Sequence, residues 1–442
     1  MSAIRGELKM KGIIAKYNHT SLILRIFIGM CVGIVLAAVF GNRLPWIGMI
    51  GTLFVNALKA IAPVLVFVLV SAALARGSKK LDGRFGTLIF LYMLTTFVAA
   101  IAAVIASYLF PQTLLLNNPG KGSAPEGIGE VLENLLLSMV ANPIDAIRKA
   151  NYIGVLLWAV LFGFAMKTCA KESTKQMMND IADGIQTVVR WIINLAPFGI
   201  MGLVYNSIST GGFKTLASYG SLLCLLVGTM LVVSLIIDPF IAALWLHRNP
   251  YPLVFKCLKE SGLTAFFTRS SAANIPVNME LCRSMGLDEE FYSVAIPLGS
   301  TINMDGAAVT ITIMTMAAAH TLGIQVDIPS AIVMSVLATI AACGASGVAG
   351  GSLLLIPLSC SLFGISNDIA MQVVGVGFIV GIVQDSVETC LNSSGDAVFT
   401  ATAEFHEWIK EGKRLPDFMY SRKEREAMKK EDAVKKDASE AH

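Results

Sequence analysis

The sequence predicts an all-α polytopic membrane protein with eight transmembrane helices and two re-entrant helical hairpins arranged as inverted repeats. Mean hydropathy is +0.67 over 442 residues, and only 15% of them are charged, which excludes an ordinary soluble domain. Long charge-free runs supply the roughly 20 apolar residues that a transmembrane helix needs. The formal net charge of +3 argues against nucleic-acid binding.

Six ordinary transmembrane helices are predicted before about residue 250. The first apolar run lacks a small-residue cleavage site, so we interpret it as a retained helix and not as a signal peptide. The Pro- and Gly-containing stretch 111–151 leaves room for a short interfacial helix. The six predicted helices lie near 21–40, 45–75, 84–110, 150–168, 188–208 and 217–246.

Loop charges predict the orientation of these helices, because short cytoplasmic loops carry an excess of Lys and Arg. Clusters of these residues precede the first helix and follow the second, fourth and sixth. Both termini are therefore predicted to be cytoplasmic. The 39 residues from Glu404 onwards hold 20 of the 34 basic and 31 acidic residues, which predicts a solvated C-terminal tail.

Two apolar stretches in the C-terminal half are each interrupted near their middle. Tyr251–Leu287 contains the polar segment Arg269–Pro276. The 40 charge-free residues Ile328–Asn367 contain four glycines within the nine residues Gly344–Ser352. Each stretch is too long or too broken for one span, so each is predicted to form a helical hairpin.

A polar interruption also follows each predicted hairpin, at Asn303–Gly306 and at Asn392–Asp396. Both are predicted to be breaks in a transmembrane helix. Counting the membrane crossings that precede each hairpin, the first hairpin enters from the cytoplasm and the second from outside. The two hairpin–helix pairs are therefore predicted to have opposite orientations in the membrane. Interrupted segments at corresponding positions of inverted halves indicate the binding site of a secondary transporter, since irregular backbone at membrane depth persists only inside protein or around a cavity.

Four sequence motifs then match a known family. They are TRSSAANIPV (268–277), NMDG (303–306), GVAGG (347–351) and DSVETCLNSSGD (385–396). Together with Tyr92, Thr95 and Thr96 they resemble the glutamate/neutral amino acid:cation symporters, most closely the bacterial sodium:serine/threonine branch, as far as about Thr402. The resemblance implies the glutamate-transporter-homologue fold, a homotrimer in the cell inner membrane, and sodium-coupled alternating access without catalytic residues.

The resemblance divides the chain into four parts. Residues 1–20 would be a cytoplasmic N-terminus, and 21–250 would be scaffold and oligomerisation spans, of which the third contributes to a sodium site. The transport core would be 251–402, followed by the charged cytoplasmic tail 403–442.

Sodium ions are the co-transported ligands that the resemblance implies. The predicted transport core contains four intramembrane acids but only one nearby base, Arg269, so its excess negative charge favours cations. Sodium is a hard ion, and hard ions prefer oxygen ligands. One ion would lie at Gly299, Asn303, Asn392 and Asp396. Another would lie at Tyr92, Thr95, Thr96, Asn303 and Asp305. A third would use mainly backbone oxygens of Thr301, Met304, Ala342, Cys343 and Ala345.

The resemblance also implies how an amino acid substrate would be held. Asp385, helped by Thr389, would receive the α-ammonium group. The side chain of Arg269 is expected to balance an acid of the last span, while its carbonyl faces the substrate. The α-carboxylate would lie between Ser271, the second hairpin tip around Val348 to Gly350, and Asn392. Met304 is a further expected substrate-binding residue.

This chain departs from the family pattern at three positions, two of which bear on substrate selectivity. Acidic amino acid carriers have an Arg where this chain has Glu388, and a Thr where it has Ala307. A second substrate carboxylate would meet a glutamate, so small neutral amino acids are favoured. Among these, serine and threonine are favoured mainly by the resemblance to the family. Glu388 is a candidate acceptor for the substrate hydroxyl. Ala349 replaces a proline of many relatives, which leaves the rigidity of the second hairpin open.

Other interpretations remain at this stage. A carrier of another small amino acid or of a dicarboxylate would belong to the same family. The intramembrane aspartates could form a protease dyad, although their contexts, Asn-Met-Asp-Gly and Ser-Ser-Gly-Asp, differ from that pattern, and the hairpins could be pore loops of a passive channel. Asp238 and Lys59 are interpreted as packing or structural ion-pair residues and not as ligands.

Overall fold

The computed structural model is built from helices, with no strand among the residues that it describes. These are 22–76, 83–116, 139–212, 214–344 and 350–421, with the single positions 129, 133, 136, 137, 424 and 426. The helices of the first half are α1 (Leu22–Phe40), α2 (Pro45–Arg76), α3 (Gly83–Leu109), α4 (Pro143–Arg148), α5 (Tyr152–Cys169), α6 (Glu172–Asn194), α7 (Ala196–Gly211), α8 (Lys214–Val232) and α9 (Asp238–Leu246).

Eight further helices form the second half of the described chain. They are α10 (Tyr251–Cys257), α11 (Leu263–Thr268), α12 (Ser271–Ser284), α13 (Glu289–Ile302), α14 (Asp305–Thr321), α15 (Ile328–Ala342), α16 (Ile356–Leu362) and α17 (Asn367–Lys410). Short π-helical turns, Val233–Ile237 and Leu258–Gly262, join α8 to α9 and α10 to α11. Short 3-10 turns occupy Gly41–Arg43, Ser352–Leu355 and Asp417–Met419.

Seven helical segments in the described part of the chain are long and apolar enough to cross a membrane, or eight if the bent pair α6–α7 counts as one. The pair bends by 52° at its junction. These segments coincide with five of the six ordinary spans of the sequence prediction and add α13–α14 and α17. The fifth predicted span, 188–208, crosses the bend between α6 and α7. The prediction of an all-helical, multi-pass membrane protein is therefore confirmed. The short helix α4 lies in the stretch where an interfacial helix was expected.

Burial separates peripheral helices from central ones. In the apolar window of α1 only 17% of the residues are buried, whereas the windows of α13–α14 and α17 are 94% and 83% buried. Helices α1, α2, α5, α6 and α7 pack mainly on one another, and α3 packs on α14 and α15. A Cβ built on Gly202 of α7 would lie 2.5 Å from the Gly51 nitrogen of α2, so these two backbones touch. Because α13–α14 and α17 carry polar residues and are nevertheless mostly enclosed by protein, we expect a binding site there.

The first predicted hairpin is broken where the sequence indicates. Arg269 follows α11 in the left-handed conformation, with φ of +52°. Ser270 then caps α12, because its hydroxyl oxygen accepts from the Ala273 N–H at 3.2 Å. The two arms, α10–α11 and α12, pack against each other. Both arms of the second predicted hairpin, α15 and α16, are also present, but residues 345–349 of its tip lie outside the described part of the chain.

The prediction of a break in the last span is wrong. The helix α17 runs without interruption for 44 residues through Asn392–Asp396. The polar segment stays helical, and its Ser394 hydroxyl donates to the Cys390 carbonyl one turn back at 2.7 Å. The larger polar side chains point into neighbouring helices. In contrast, the break at Asn303 and Met304 between α13 and α14 is present as predicted.

Lys59 forms an ion pair with Asp368 at the start of α17. The aspartate side chain is 81% exposed, so the pair lies at a solvated edge of the protein. The interpretation of Lys59 as a structural ion-pair residue is therefore confirmed. Asp238 is buried and forms no ion pair with any base that the structure describes, so of the two interpretations only packing remains for it.

The start of the expected tail packs on the protein. Helix α17 continues to Lys410, and Leu415 and Met419 beyond it are buried. The Arg248 guanidinium lies 4.2 Å from the centre of the Tyr420 ring and pairs with Glu424 at 2.6 Å. Hydrogen bonds from Ser421 lower the pKa of the Glu424 carboxyl. Residues up to Tyr420 are thus part of the folded protein.

Truncation after Tyr420 is expected to leave amino acid uptake per folded protein within error of the full chain. The buried Leu415 and Met419 and the Arg248–Tyr420 contact remain, and the lost Arg248–Glu424 pair is solvent-exposed and worth about 0–1 kcal/mol. Uptake in proteoliposomes, normalised to reconstituted protein, tests this. Truncation after Lys410 is the contrasting variant and should lower the melting temperature. A large loss of turnover at normal expression in the first variant would reveal a regulatory role for the tail.

Candidate binding site for ions and substrate

Asp305 begins α14 immediately after the break in the helix. Its Oδ1 accepts hydrogen bonds from the hydroxyls of Thr95 and Thr96 at 3.2 and 2.6 Å. The Thr96 hydroxyl also accepts from the Met304 N–H at 3.3 Å, which holds the broken backbone against α3. The Asp305 Oδ2 and the Asn303 Oδ1 are buried without a donor in the described structure. Two orphaned oxygens beside unwound backbone fit a hard cation.

Asp396 lies on α17, opposite the same break. The amide nitrogen of Asn303 donates to Asp396 Oδ1 at 3.1 Å and to the Asn392 carbonyl at 3.2 Å. A Cβ built on Gly299 would lie 2.7 Å from the Tyr92 hydroxyl and 2.8 Å from Asp396 Oδ1, so only glycine leaves room there. The residues that the sequence grouped around two ions therefore lie together, with Asn303 between the two acids.

The third group of predicted ion ligands is described only in part. The Cys343 sulfur, at the end of α15, lies 3.7 Å from the Ile302 carbonyl oxygen at the break. Ala342 beside it is fully buried, and Thr301 lies on the last turn of α13. The second hairpin thus approaches the unwound backbone as expected. Ala345 lies outside the described residues.

Asp385 joins the tips of the two hairpins. Its Oδ2 accepts from Arg269 Nε at 2.6 Å, and its Oδ1 accepts from the Gly350 N–H at 3.0 Å. Both charged side chains are at least nine-tenths buried, and Arg269 Nη1 has no acceptor among the residues that the structure describes. The acid that balances Arg269 is therefore the same acid that the sequence analysis assigned to the ammonium group. Val348 and Ala349, next to Gly350, lie outside the described residues.

The remaining expected substrate residues lie around the same centre. Asn392 Oδ1 accepts from the Gly306 N–H at 2.8 Å, and its amide nitrogen lies 3.4 Å from the Met304 sulfur. The Thr389 hydroxyl donates to the carbonyl one turn earlier on α17 at 2.7 Å, which leaves its oxygen lone pairs available. Ser271 is buried at the first turn of α12.

Glu388 is enclosed by three polar side chains that the sequence did not reveal as its neighbours. We call Thr310, Ser352 and Gln384 the Glu388 cage. One oxygen of Glu388 accepts from the Thr310 hydroxyl at 2.7 Å, the Ser352 hydroxyl at 2.8 Å and the Gln384 amide at 2.5 Å. No base contacts Glu388 among the described residues. The i, i+4 spacing of Gln384 and Glu388 was a usable signal. Thr310 and Ser352 come from other elements, so only the fold brings them together.

A second polar cluster, also missed, attaches the first hairpin to α17. The Asn274 amide donates to the Ser261 hydroxyl at 2.8 Å and to the Ser393 hydroxyl at 2.7 Å. The Asn278 amide donates to the Ser393 carbonyl at 2.9 Å. These contacts orient the hairpin tip and involve none of the acids of the site. We interpret the cluster as positioning the site and not as binding a ligand.

A broken helix, one carboxylate oxygen and one amide oxygen without described donors, and two hairpin tips that meet on one acid are typical of a secondary transporter. The match to family models agrees with this class: residues 22–404 match the model of the sodium:dicarboxylate symporter family. The chain belongs to that family. It is a transporter and not an enzyme.

Curated relatives cover almost the whole chain. A protein of Bifidobacterium adolescentis, named serine/threonine transporter SstT, is 62% identical over 417 residues, which is 94% of this chain and 97% of the relative. Proteins of the same name from Streptococcus thermophilus and Streptococcus agalactiae are both 57% identical, over 403 and 397 residues. These alignments cover 91% and 89% of this chain and 100% and 98% of the relatives.

Proposed function

We propose that this protein imports small neutral amino acids, serine and threonine, by sodium-coupled alternating access. The names of the relatives and the family description support the substrate class and the ion. The observation that carries the proposal is the buried Glu388 carboxylate, which has three neutral donors and no base within the described residues. A substrate with a second carboxylate would be repelled there, whereas a hydroxyl group could donate to it.

The proposed architecture has eight transmembrane helices and two re-entrant hairpins related as inverted repeats. The candidate spans and the two short apolar hairpin helices α15 and Ser352–Leu362 support this count. Both termini would be cytoplasmic in a bacterial inner membrane, as the loop charges indicate. The bundle of α1, α2, α5, α6 and α7 would be the scaffold of a homotrimer.

The substrate would be held by its two charged ends. Its ammonium group would bind Asp385, which keeps two acceptor oxygens beside the hairpin tips, and Thr389 would assist. Its carboxylate would bind among the hydroxyl of Ser271, the amide of Asn392 and the tip of the second hairpin. The buried Arg269 Nη1, for which the described part of the chain offers no acceptor, adds positive charge to this end of the site. Opposite charges on the two ends offset the desolvation of a zwitterion.

Sodium ions would bind at the two sides of Asn303. One position would use Gly299, Asn392 and Asp396, and the other would use Tyr92 and the Thr95, Thr96 and Asp305 oxygens. The unpartnered oxygens of Asn303 and Asp305 support both positions. The third position would use backbone oxygens at Thr301, Met304, Ala342, Cys343 and Ala345.

Uptake of a labelled amino acid panel into proteoliposomes tests the proposed function. With an inward sodium gradient, serine and threonine should accumulate, whereas potassium or choline in place of sodium should abolish accumulation. Aspartate should compete poorly with serine. Accumulation without sodium, or strong competition by aspartate, would contradict the proposal.

Asp305→Asn and Asp396→Asn should each raise the sodium concentration needed for half-maximal serine uptake. Each change removes a formal charge from an oxygen-ligand site while keeping the side-chain shape. Glu404→Gln is the matched control, because Glu404 is an equally buried acid on α17 that lies away from the break. Its Oε1 accepts from the Asp288 N–H at a distance of 2.9 Å. Wild-type sodium dependence in both aspartate variants would show that the proposed ion positions are wrong.

A further inference from the structure

The carboxylate of Glu388 is held by only one of its two oxygens. Oε2 accepts from Thr310, Ser352 and Gln384, whereas Oε1 accepts from none of the residues that the structure describes. The three donors of the Glu388 cage are at most 1% exposed, so bulk water does not compete with them for Oε2. The carboxylate is therefore fixed in one orientation, in which Oε1 is the oxygen left for a ligand.

The hydrogen bonds within the cage depend on one another. The Gln384 amide nitrogen donates to the Thr310 hydroxyl oxygen at 2.7 Å and to Glu388 Oε2 at 2.5 Å, which uses both of its hydrogens. The Thr310 hydroxyl accepts from Gln384 and donates its own hydrogen to Glu388 Oε2 at 2.7 Å. The Gly306 carbonyl, 3.0 Å from the same hydroxyl, is the weaker acceptor because it is uncharged. Loss of the Thr310 hydroxyl would therefore disturb two bonds of the cage.

The cage lies among the residues of the proposed substrate site. Glu388 is one turn after Asp385 and one turn before Asn392 on α17, so the three side chains share one face of the helix. A Cβ built on Gly306, beside the break, would lie 3.0 Å from Glu388 Cγ, so the stem of the glutamate runs directly along the start of α14. Ser352 belongs to the second hairpin, whose tip contacts Asp385. Glu388 is thus adjacent to the groups proposed for the charged ends of the substrate.

We propose that Thr310, Ser352 and Gln384 are positioning residues that make this carrier select amino acids with a side-chain hydroxyl. By holding Oε2, they aim Oε1 of Glu388 at the hydroxyl of serine or threonine. The inference rests on the proposed function and deepens it, because it names the residues that discriminate serine from alanine. Alanine would leave a buried carboxylate oxygen without a donor, and a site built for a hydroxyl strongly rejects an analogue that lacks it. Since Ser352 comes from the second hairpin, the cage is complete only when that hairpin lies against α17.

Competition of unlabelled serine and alanine against labelled serine, in proteoliposomes with a sodium gradient, tests this proposal. Wild type should prefer serine to alanine by at least about a hundredfold. Thr310→Val keeps a similar volume and removes the hydroxyl, so it should lower this preference about tenfold, because a hydrogen bond to a charged group is lost. Ser352→Ala should lower it to a similar extent. The sodium dependence of uptake should stay that of wild type in both variants, because neither residue belongs to a proposed ion position.

Two control variants separate positioning from packing. Thr312→Val is the same change on the same helix, because Thr312 is equally buried and its hydroxyl has no hydrogen-bond partner among the described residues. It should keep the preference of wild type. Thr310→Ser retains the hydroxyl and should also keep the preference for serine. If Thr310→Val does not fold, Ser352→Ala provides the test.

Three results would overturn the proposal. The first is an unchanged preference in the folded variants of Thr310 and Ser352, and the second is an equal loss of preference in Thr312→Val. The third is a wild type that takes up serine with sodium but does not distinguish it from alanine, which would leave sodium-coupled import intact. Absence of sodium-dependent serine uptake by wild type would overturn the proposed function as well.

Discussion

Asp385→Asn is expected to abolish serine binding while sodium binding remains measurable. The carboxylate is the proposed partner of the substrate ammonium group, and it also accepts from Arg269 at 2.6 Å and from the Gly350 N–H at 3.0 Å. Removing one member of a buried charge pair costs about 3–5 kcal/mol. Isothermal titration with serine, and separately with sodium, measures both effects. Unchanged serine affinity would refute the assignment of Asp385.

A matched double variant separates the two roles of this acid. Asp385→Asn also leaves Arg269 as an uncompensated buried charge, which could by itself distort the site. Arg269→Gln combined with Asp385→Asn removes both charges and so removes that complication. If the substrate ammonium group binds Asp385, the double variant should still fail to bind serine. Recovery of serine binding in the double variant would assign the loss to the orphaned arginine instead.

Glu388→Arg combined with Ala307→Thr should exchange serine for aspartate as the bound substrate. The change supplies a bidentate cationic partner for a second carboxylate and a hydroxyl donor beside it. Thr310 and Ser352 of the Glu388 cage can reorient their hydroxyls to accept from the new guanidinium, and the Gln384 amide can flip. Competition of unlabelled amino acids against labelled serine and aspartate measures the change in selectivity.

Glu388→Gln is the control for this exchange. It removes the repulsion without adding a cation, so it should accept acidic substrates poorly while it retains small neutral ones. If aspartate fails to displace serine from wild type, from Glu388→Gln and from the double variant alike, residue 388 does not face the substrate side chain. Strong displacement from wild type would contradict selectivity for neutral substrates.

Apolar runs and helix breakers predicted much of the fold. The predicted spans coincide with the candidate spans, and the breaks at Arg269 and Asn303 occur where polar residues interrupt apolar stretches. The same logic failed at Asn392–Asp396, where α17 stays helical. Polar residues break a helix only when its backbone groups gain other partners. At Asn392 the side chain serves a neighbour instead, by accepting from the Gly306 N–H.

The candidate site was predictable only as far as sequence motifs extend. Asp305, Asp385 and Asp396 belong to motifs and were found, whereas the Glu388 cage combines residues from α14, the turn before α16, and α17. The sharing of Asp385 between Arg269 and Gly350 depends on how two hairpin tips meet. Asp238 was interpreted as either a packing or an ion-pair residue, because the sequence does not reveal whether a base lies opposite it. Such juxtapositions are tertiary, and local patterns do not contain them.

The pairing of Arg269 with Asp385 has a consequence for the electrical work of transport. Moving one elementary charge across the membrane field costs about 2.3 kcal/mol per 100 mV. Because Asp385 is paired with the Arg269 guanidinium, the two side chains together add no net charge to the part of the protein that moves in the membrane field. A zwitterionic substrate also adds none when it binds. We therefore expect the current per transport cycle to be set by the sodium ions and the acids that bind them, and to be the same for serine and threonine.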